Sequence, residues 1–208
     1  MAYDLEEQEQ IDELKAWWKT YGKMVSNLVI GLLVAYAAYQ GWTYYQTKQA
    51  VDASTEYQAL QVVDAKDLKA IQTKSAVLMD KYSATPYAGR AAVFAAKANY
   101  EANEIKSAKA QLEWAISNAK ETSVSAIASL QLANILSEEN NFDAALKVLE
   151  AKHDAGFDGL FSDLKGDVLL DMGKTAEAKA AYEHALTQLD AQGRYRHLTQ
   201  QKLDSLGS

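Results

Sequence analysis

The sequence has no cysteine, a single proline and only three histidines among its 208 residues. Without thiols there are no disulfides, thiolate metal sites or cysteine nucleophiles, which is compatible with an oxidising compartment. His153, His184 and His197 have no Glu or second His at metal-ligand spacing on a shared helix face. Phosphate-binding glycine loops and the G-x-S-x-G nucleophile motif are missing. Lys and Arg are not clustered. The net charge of −7 divides into −3 before Met24 and −4 after Tyr45, and mild acidity of this kind argues against nucleic acid as a partner. These absences predict a protein that is not an enzyme and holds no cofactor or metal. Scarce proline and abundant alanine favour helix throughout.

Charge is also absent from one long stretch, and the chain is organised around it. Between Lys23 and Lys48 no residue is charged, and Met24–Tyr45 reads MVSNLVIGLLVAYAAYQGWTYY. As a helix these positions reach roughly 33 Å, the thickness of a bilayer's hydrocarbon core. Trp17, Trp18 and Tyr21 stand at one end and Trp42, Tyr44 and Tyr45 at the other, where amphipathic rings suit the headgroup level. The reading is one transmembrane helix over 24–45. Two others compete with it: a buried helix of a soluble domain, and a signal peptide cleaved after Ala35-Tyr36-Ala37. Against cleavage, the segment before Lys23 is long and net negative, whereas a signal peptide begins short and basic.

Lys15, Lys19 and Lys23 precede the span, and only Lys48 follows within the next 20 residues. This bias predicts a cytoplasmic N-terminus and an exported C-terminal part. In residues 1–23, Ile11, Leu14, Trp18 and Tyr21 share one helix face. Either this is a separate helix lying against the membrane or a partner, or it runs straight on into the span. Inside the span Gly31, Ala35 and Ala38 line up at spacings of four and three, a face on which a second helix can pack closely or plain alanine-rich filler.

Residues 46–208 form one helical domain. Tyr57, Leu60 and Val63 suggest a helix over 46–64, and Leu68, Ile71, Val77 and Leu78 another over 67–82. The boundary at Ser83-Ala84-Thr85-Pro86 follows, with Thr85 as a helix cap and Pro86 in a first turn. Then three units, 89–116, 126–153 and 159–186, each read as helix, polar turn, helix. Their turns contain Asn103-Glu104, Asn140-Asn141 and Met172-Gly173-Lys174, and Ala108, Ala145 and Ala178 recur 37 and 33 residues apart, the period of a tetratricopeptide array. In the last unit Gly166, Gly173, Ala178, Tyr182 and Ala185 fall at the small-residue contacts, turn glycine and aromatic position of such a repeat. The pair over 46–82 is too weak a match to count as one. Residues 194–206 close the array with a polar face.

The fold expected is therefore all-α: a single N-terminal transmembrane helix followed by a tetratricopeptide-like α-solenoid. Such arrays act by shape, and Val93, Lys97, Tyr100, Leu130, Asn134, Asp163, Asp167 and Leu170 are the expected groove positions. Asp163, Asp167 and Asp171 form an acidic stripe, either a solvated face or part of a groove for a basic or polar partner.

Taken end to end, EQIDELKAWWKTYGKMV, a span, GWTYY and a helical repeat domain ending LTQQKLDSL resemble the YfgM family, with Trp17-Trp18 and Gly41-Trp42 as local signatures. The resemblance implies an ancillary subunit of the SecYEG translocon, single-pass in the inner membrane, with its repeat domain in the periplasm. It further implies contact with a PpiD-type periplasmic chaperone and with exported unfolded polypeptides. The alternative from the residues alone is a membrane-tethered scaffold for another envelope-assembly or cell-division complex.

Overall fold

The computed structural model describes residues 2–207; Met1 and Ser208, the ends of the first and last predicted segments, lie outside the described residues. Helix α1 covers Ala2–Gln61 without a break, so residues 1–23 are not a separate helix. The chain divides into two units, Met1–Gln49 and Ala50–Ser208. In the first unit α1 carries the one described stretch long and apolar enough to cross a membrane, none of it buried. The Trp18 ring lies over Gly22, its nearest atoms 3.0 Å from where a Cβ there would stand.

The second unit starts with the end of α1 and continues through α2 (Leu68–Lys81), α3 (Pro86–Glu101), α4 (Ile105–Asn118), α5 (Thr122–Glu138), α6 (Phe142–Leu149), α7 (Asp158–Asp171), α8 (Thr175–Gln188) and α9 (Arg194–Ser205). From α2 onward, neighbours in sequence are neighbours in space, as in a solenoid. Three hairpins, α3–α4, α5–α6 and α7–α8, turn in the same way. Asn103, Asn140 and Gly173 each take a left-handed backbone, with φ of 62°, 59° and 76°. In each turn the next amide reaches back over the helix end: Glu104 to the Asn99 carbonyl at 2.8 Å, Asn141 to Leu136 at 2.8 Å and Lys174 to Leu169 at 2.9 Å. This is the Schellman closure, and asparagine and glycine tolerate its left-handed residue best.

Inside each hairpin a small residue on the first helix meets a larger one sixteen positions on. Ala96 and Leu112 share one core cluster, and Ala133 and Leu149 another. In the last hairpin Gly166 lies against Tyr182, which is fully buried. Ala108, Ala145 and Ala178 are all 0% exposed, so the recurring alanines mark the packed interior of the array.

The structure corrects the sequence reading in two places. The 46–82 segment packs as a further hairpin, with Ala53, Leu60, Ile71 and Leu78 sharing a core with Tyr82, Ala91 and Ala95. Of its predicted apolar positions, Val77 points outward and Ser75 is buried instead. Thr85 takes the cap position before Pro86, but its hydroxyl donates to the Tyr82 carbonyl at 2.8 Å and makes no cap bond.

Ser75 is 0% exposed and its hydroxyl has no hydrogen-bond partner. It lies 33 residues before Ala108, so alanine suits the equivalent site one hairpin later. Because an unmade buried hydrogen bond costs free energy, Ser75→Ala is expected to stabilise the domain by about 1 kcal/mol, read as a higher urea midpoint at unchanged slope.

Candidate functional site

Helices α3 and α5 stand side by side, and the surface between them holds two adjoining depressions of about 280 and 130 Å³. The larger has an apolar floor, including Val93, Phe94, Val124 and Ile127. The smaller is ringed by polar groups, among them Tyr100, Asn134 and Glu138. Lys97 and Gln131 line both. Tyr100 is 38% exposed and its hydroxyl donates to Glu138 at 2.6 Å, a contact that holds its proton and moves its pKa upward. At the open end Arg90 makes two 2.7 Å bonds to Glu121. The guanidinium holds the Glu121 carboxyl below the usual carboxylate range. Arg90 also lies 5.8 Å from the centre of the Tyr87 ring, and Tyr87 packs on Tyr57 at 5.6 Å. That end is thus a fixed polar and aromatic wall, whereas the Lys97 ammonium is mostly in water, 3.7 Å from Glu101.

Of the eight expected groove positions, Val93, Lys97, Tyr100 and Asn134 come together here. Leu130 is half-buried against the Ala126 and Ala133 core and serves packing. Leu170 sits on α7, 36% exposed. Asp163 and Asp167 are not part of an open groove, nor of a plain solvated stripe, because α9 covers them. Lys202 donates to Asp163 Oδ2 at 2.8 Å and to Asp167 Oδ2 at 2.6 Å. Thr199 donates to Asp163 Oδ1 at 2.8 Å and Tyr182 to Asp167 Oδ1 at 2.7 Å. Burial pushes the Asp167 carboxyl above its ordinary pKa in spite of these donors, and it pushes the Tyr182 phenol up as well, with Asp167 adding to the rise. The third residue of the stripe, Asp171, faces Ser137 of the neighbouring hairpin at 3.4 Å. In the first unit Gly31, Ala35 and Ala38 lie on the exposed apolar stretch of α1, and a side chain added at Gly31 would meet nothing within 4 Å.

Comparison with known proteins bears on this array. The profile of the tetratricopeptide repeat-like domain family matches residues 15–208. Over 99% of its length the chain is 33% identical to a Neisseria gonorrhoeae protein named ancillary SecYEG translocon subunit, all of which is covered. The chain belongs to that family. Proteins of the same name from Haemophilus influenzae and Escherichia coli are 29% and 27% identical, over 89% and 96% of this chain and 91% and 96% of theirs.

As in other parts of this family member, the remaining polar chemistry is intramolecular pairing. A cleft of about 660 Å³ lies among α6, α7 and α8. In it Ser162 meets His184 Nδ1 at 2.9 Å, and Lys165 donates to Glu150 at 2.7 Å. His153 stacks on Phe161 at 3.7 Å with Asp158 3.0 Å from Nε2. Sequence reasoning missed these pairs because their members lie on different helices or on a helix and the loop before it, at separations no single-helix period reveals. Among the described residues no carboxylate bonds to His184, and no group of three metal-ligating side chains forms. What the arrangement offers a partner is shape, apolar surface and hydrogen bonds along α3 and α5.

Proposed function

We propose that this chain is an ancillary subunit of the SecYEG translocon: a non-catalytic interaction protein, anchored in the inner membrane, whose repeat domain links exported unfolded polypeptides to periplasmic chaperones. The observation that carries the reading is likeness over essentially the whole chain to relatives named for that association. The three lysines before the span against one after it support a cytoplasmic N-terminus and a periplasmic repeat domain. In this reading the span is a tether that raises the local concentration of the array beside the channel. Its Gly31, Ala35 and Ala38 face is the side a translocon helix approaches, and the α3–α5 groove with Lys97, Tyr100 and Asn134 takes the exported chain or a PpiD-type chaperone.

Mild-detergent purification of the intact protein, with photoreactive probes at Gly31, Ala35 and Lys97, tests this. Translocon subunits are expected at the first two probes, and exported chains or a chaperone at the third. Combining Tyr100→Ala and Asn134→Ala is expected to reduce crosslinking at Lys97 about tenfold, the loss of a modest binding hot spot, with the melting temperature little changed because both side chains are exposed. Co-purification with a cell-division or outer-membrane assembly complex, without translocon subunits, would sink the reading.

A further inference from the structure

The closing helix is attached differently from every other helix of the array. α9 follows α8 after a short connection at 189–193, packs on it, and reaches α7 through side chains. Yet α3 buries seven residues and α5 six, while α9 buries one, Thr199. Only Leu203 and Leu206 pack against the apolar cluster of Leu169, Ala178 and Tyr182, and both are only half-buried. The rest of the contact is polar: Lys202 between Asp163 and Asp167, Thr199 on Asp163, and Arg196 on the Leu186 carbonyl.

The seat beneath α9 is polar as well. Asp163 is the counterpart, at the array's spacing of 37 and 33, of Val93 and Leu130, both apolar. A carboxylate there is costly to cover with apolar side chains and cheap to return to water. Undocking α9 would relieve the desolvation of Asp167 while forfeiting its bond to Lys202.

We propose that α9 is a displaceable intramolecular ligand, and that its seat on α7 and α8 is a docking site for a basic amphipathic helix of a partner. The structure itself displays the chemistry this seat accepts. It takes a threonine, a lysine three residues on, a leucine directly after it and a leucine three further, as in Thr199, Lys202, Leu203 and Leu206. A partner helix with this pattern meets the same two carboxylates and the same Tyr182 edge, and it binds by competing with α9. This site is separate from the α3–α5 groove and stands whether or not that groove takes exported chains.

Two measurements on the full chain test it. In amide hydrogen exchange, α9 should open through an event that leaves α7 and α8 protected. Raising salt from about 0.05 to about 1 M should speed that opening roughly tenfold as the lysine–carboxylate attraction is screened. A labelled peptide of residues 190–207 should bind the Lys202→Glu chain, whose own α9 is repelled, at least tenfold more tightly than the wild-type chain, by fluorescence anisotropy. The same peptide carrying Lys202→Glu should bind neither. The proposal is overturned if α9 exchanges only together with α7 and α8 in the wild-type chain, or if the peptide binds both chains equally or not at all.

Discussion

Replacing Gly166 by alanine is expected to cost the repeat domain about 3 kcal/mol, the upper part of the range for overpacking a core. A Cβ at this position would run into Tyr182 Cε1 and stand 2.6 Å from Cδ1 and 2.8 Å from Cζ. The ring is not free to retreat. It is completely buried, its hydroxyl is tied to Asp167 at 2.7 Å, and Lys202 stands 5.7 Å from its centre. Any shift of the ring therefore disturbs the bonds that seat α9. In thermal unfolding the loss corresponds to about 6–12 °C. The other two hairpins indicate the remedy, since they pair alanine with leucine at these positions, Ala96 with Leu112 and Ala133 with Leu149. Adding Tyr182→Leu should recover more than half of the loss, so the two changes should be strongly non-additive in a double-mutant cycle. Simple additivity would show that the close approach of glycine and ring is not what stabilises this hairpin.

The same pairing explains which parts of the fold were legible in the sequence. Ala108, Ala145 and Ala178 recur because two helices touch there, and Asn103, Asn140 and Gly173 recur because each hairpin closes through a left-handed residue. Contacts set by a local rule leave a local period. The acidic stripe follows no such rule. Asp163 and Asp167 face a lysine 39 and 35 residues away, and nothing in their own helix distinguishes a carboxylate facing water from one facing α9. Leu130 fails as a groove residue for a related reason. An apolar side chain on a first helix reads alike whether it lines the open surface, as Val93 does, or turns into the core.

The helix pair at the start of the array was legible in the sequence as two helices but not as a unit of the repeat, and Leu60→Ala tests whether it is packed as the structure has it. Its turn differs from the other three. In place of a three-residue Schellman closure it spans 62–67, where the Asp64 carboxylate accepts from the Lys66 amide at 2.9 Å and the Asp67 carboxylate caps α2 through the Ala70 amide at 3.0 Å. Without the left-handed residue and the recurring alanine the period disappears, although the core is as dry as elsewhere: Leu60 and Leu78 are 0% exposed and Ile71 is 1%. Truncating Leu60 removes a fully buried side chain and is expected to cost about 3 kcal/mol. In a solenoid a terminal hairpin leans on one neighbour only, so the damage should stay local. Amide protection in residues 50–61 and α2 should fall by roughly two orders of magnitude, the fold-change equivalent of about 3 kcal/mol, while α5–α8 should change by no more than a few fold. Val62→Ala, at a position 84% exposed two residues on, should change neither. Equal loss of protection in every helix would make the domain one cooperative block, and no loss in α2 would mean that this hairpin is not held by its core.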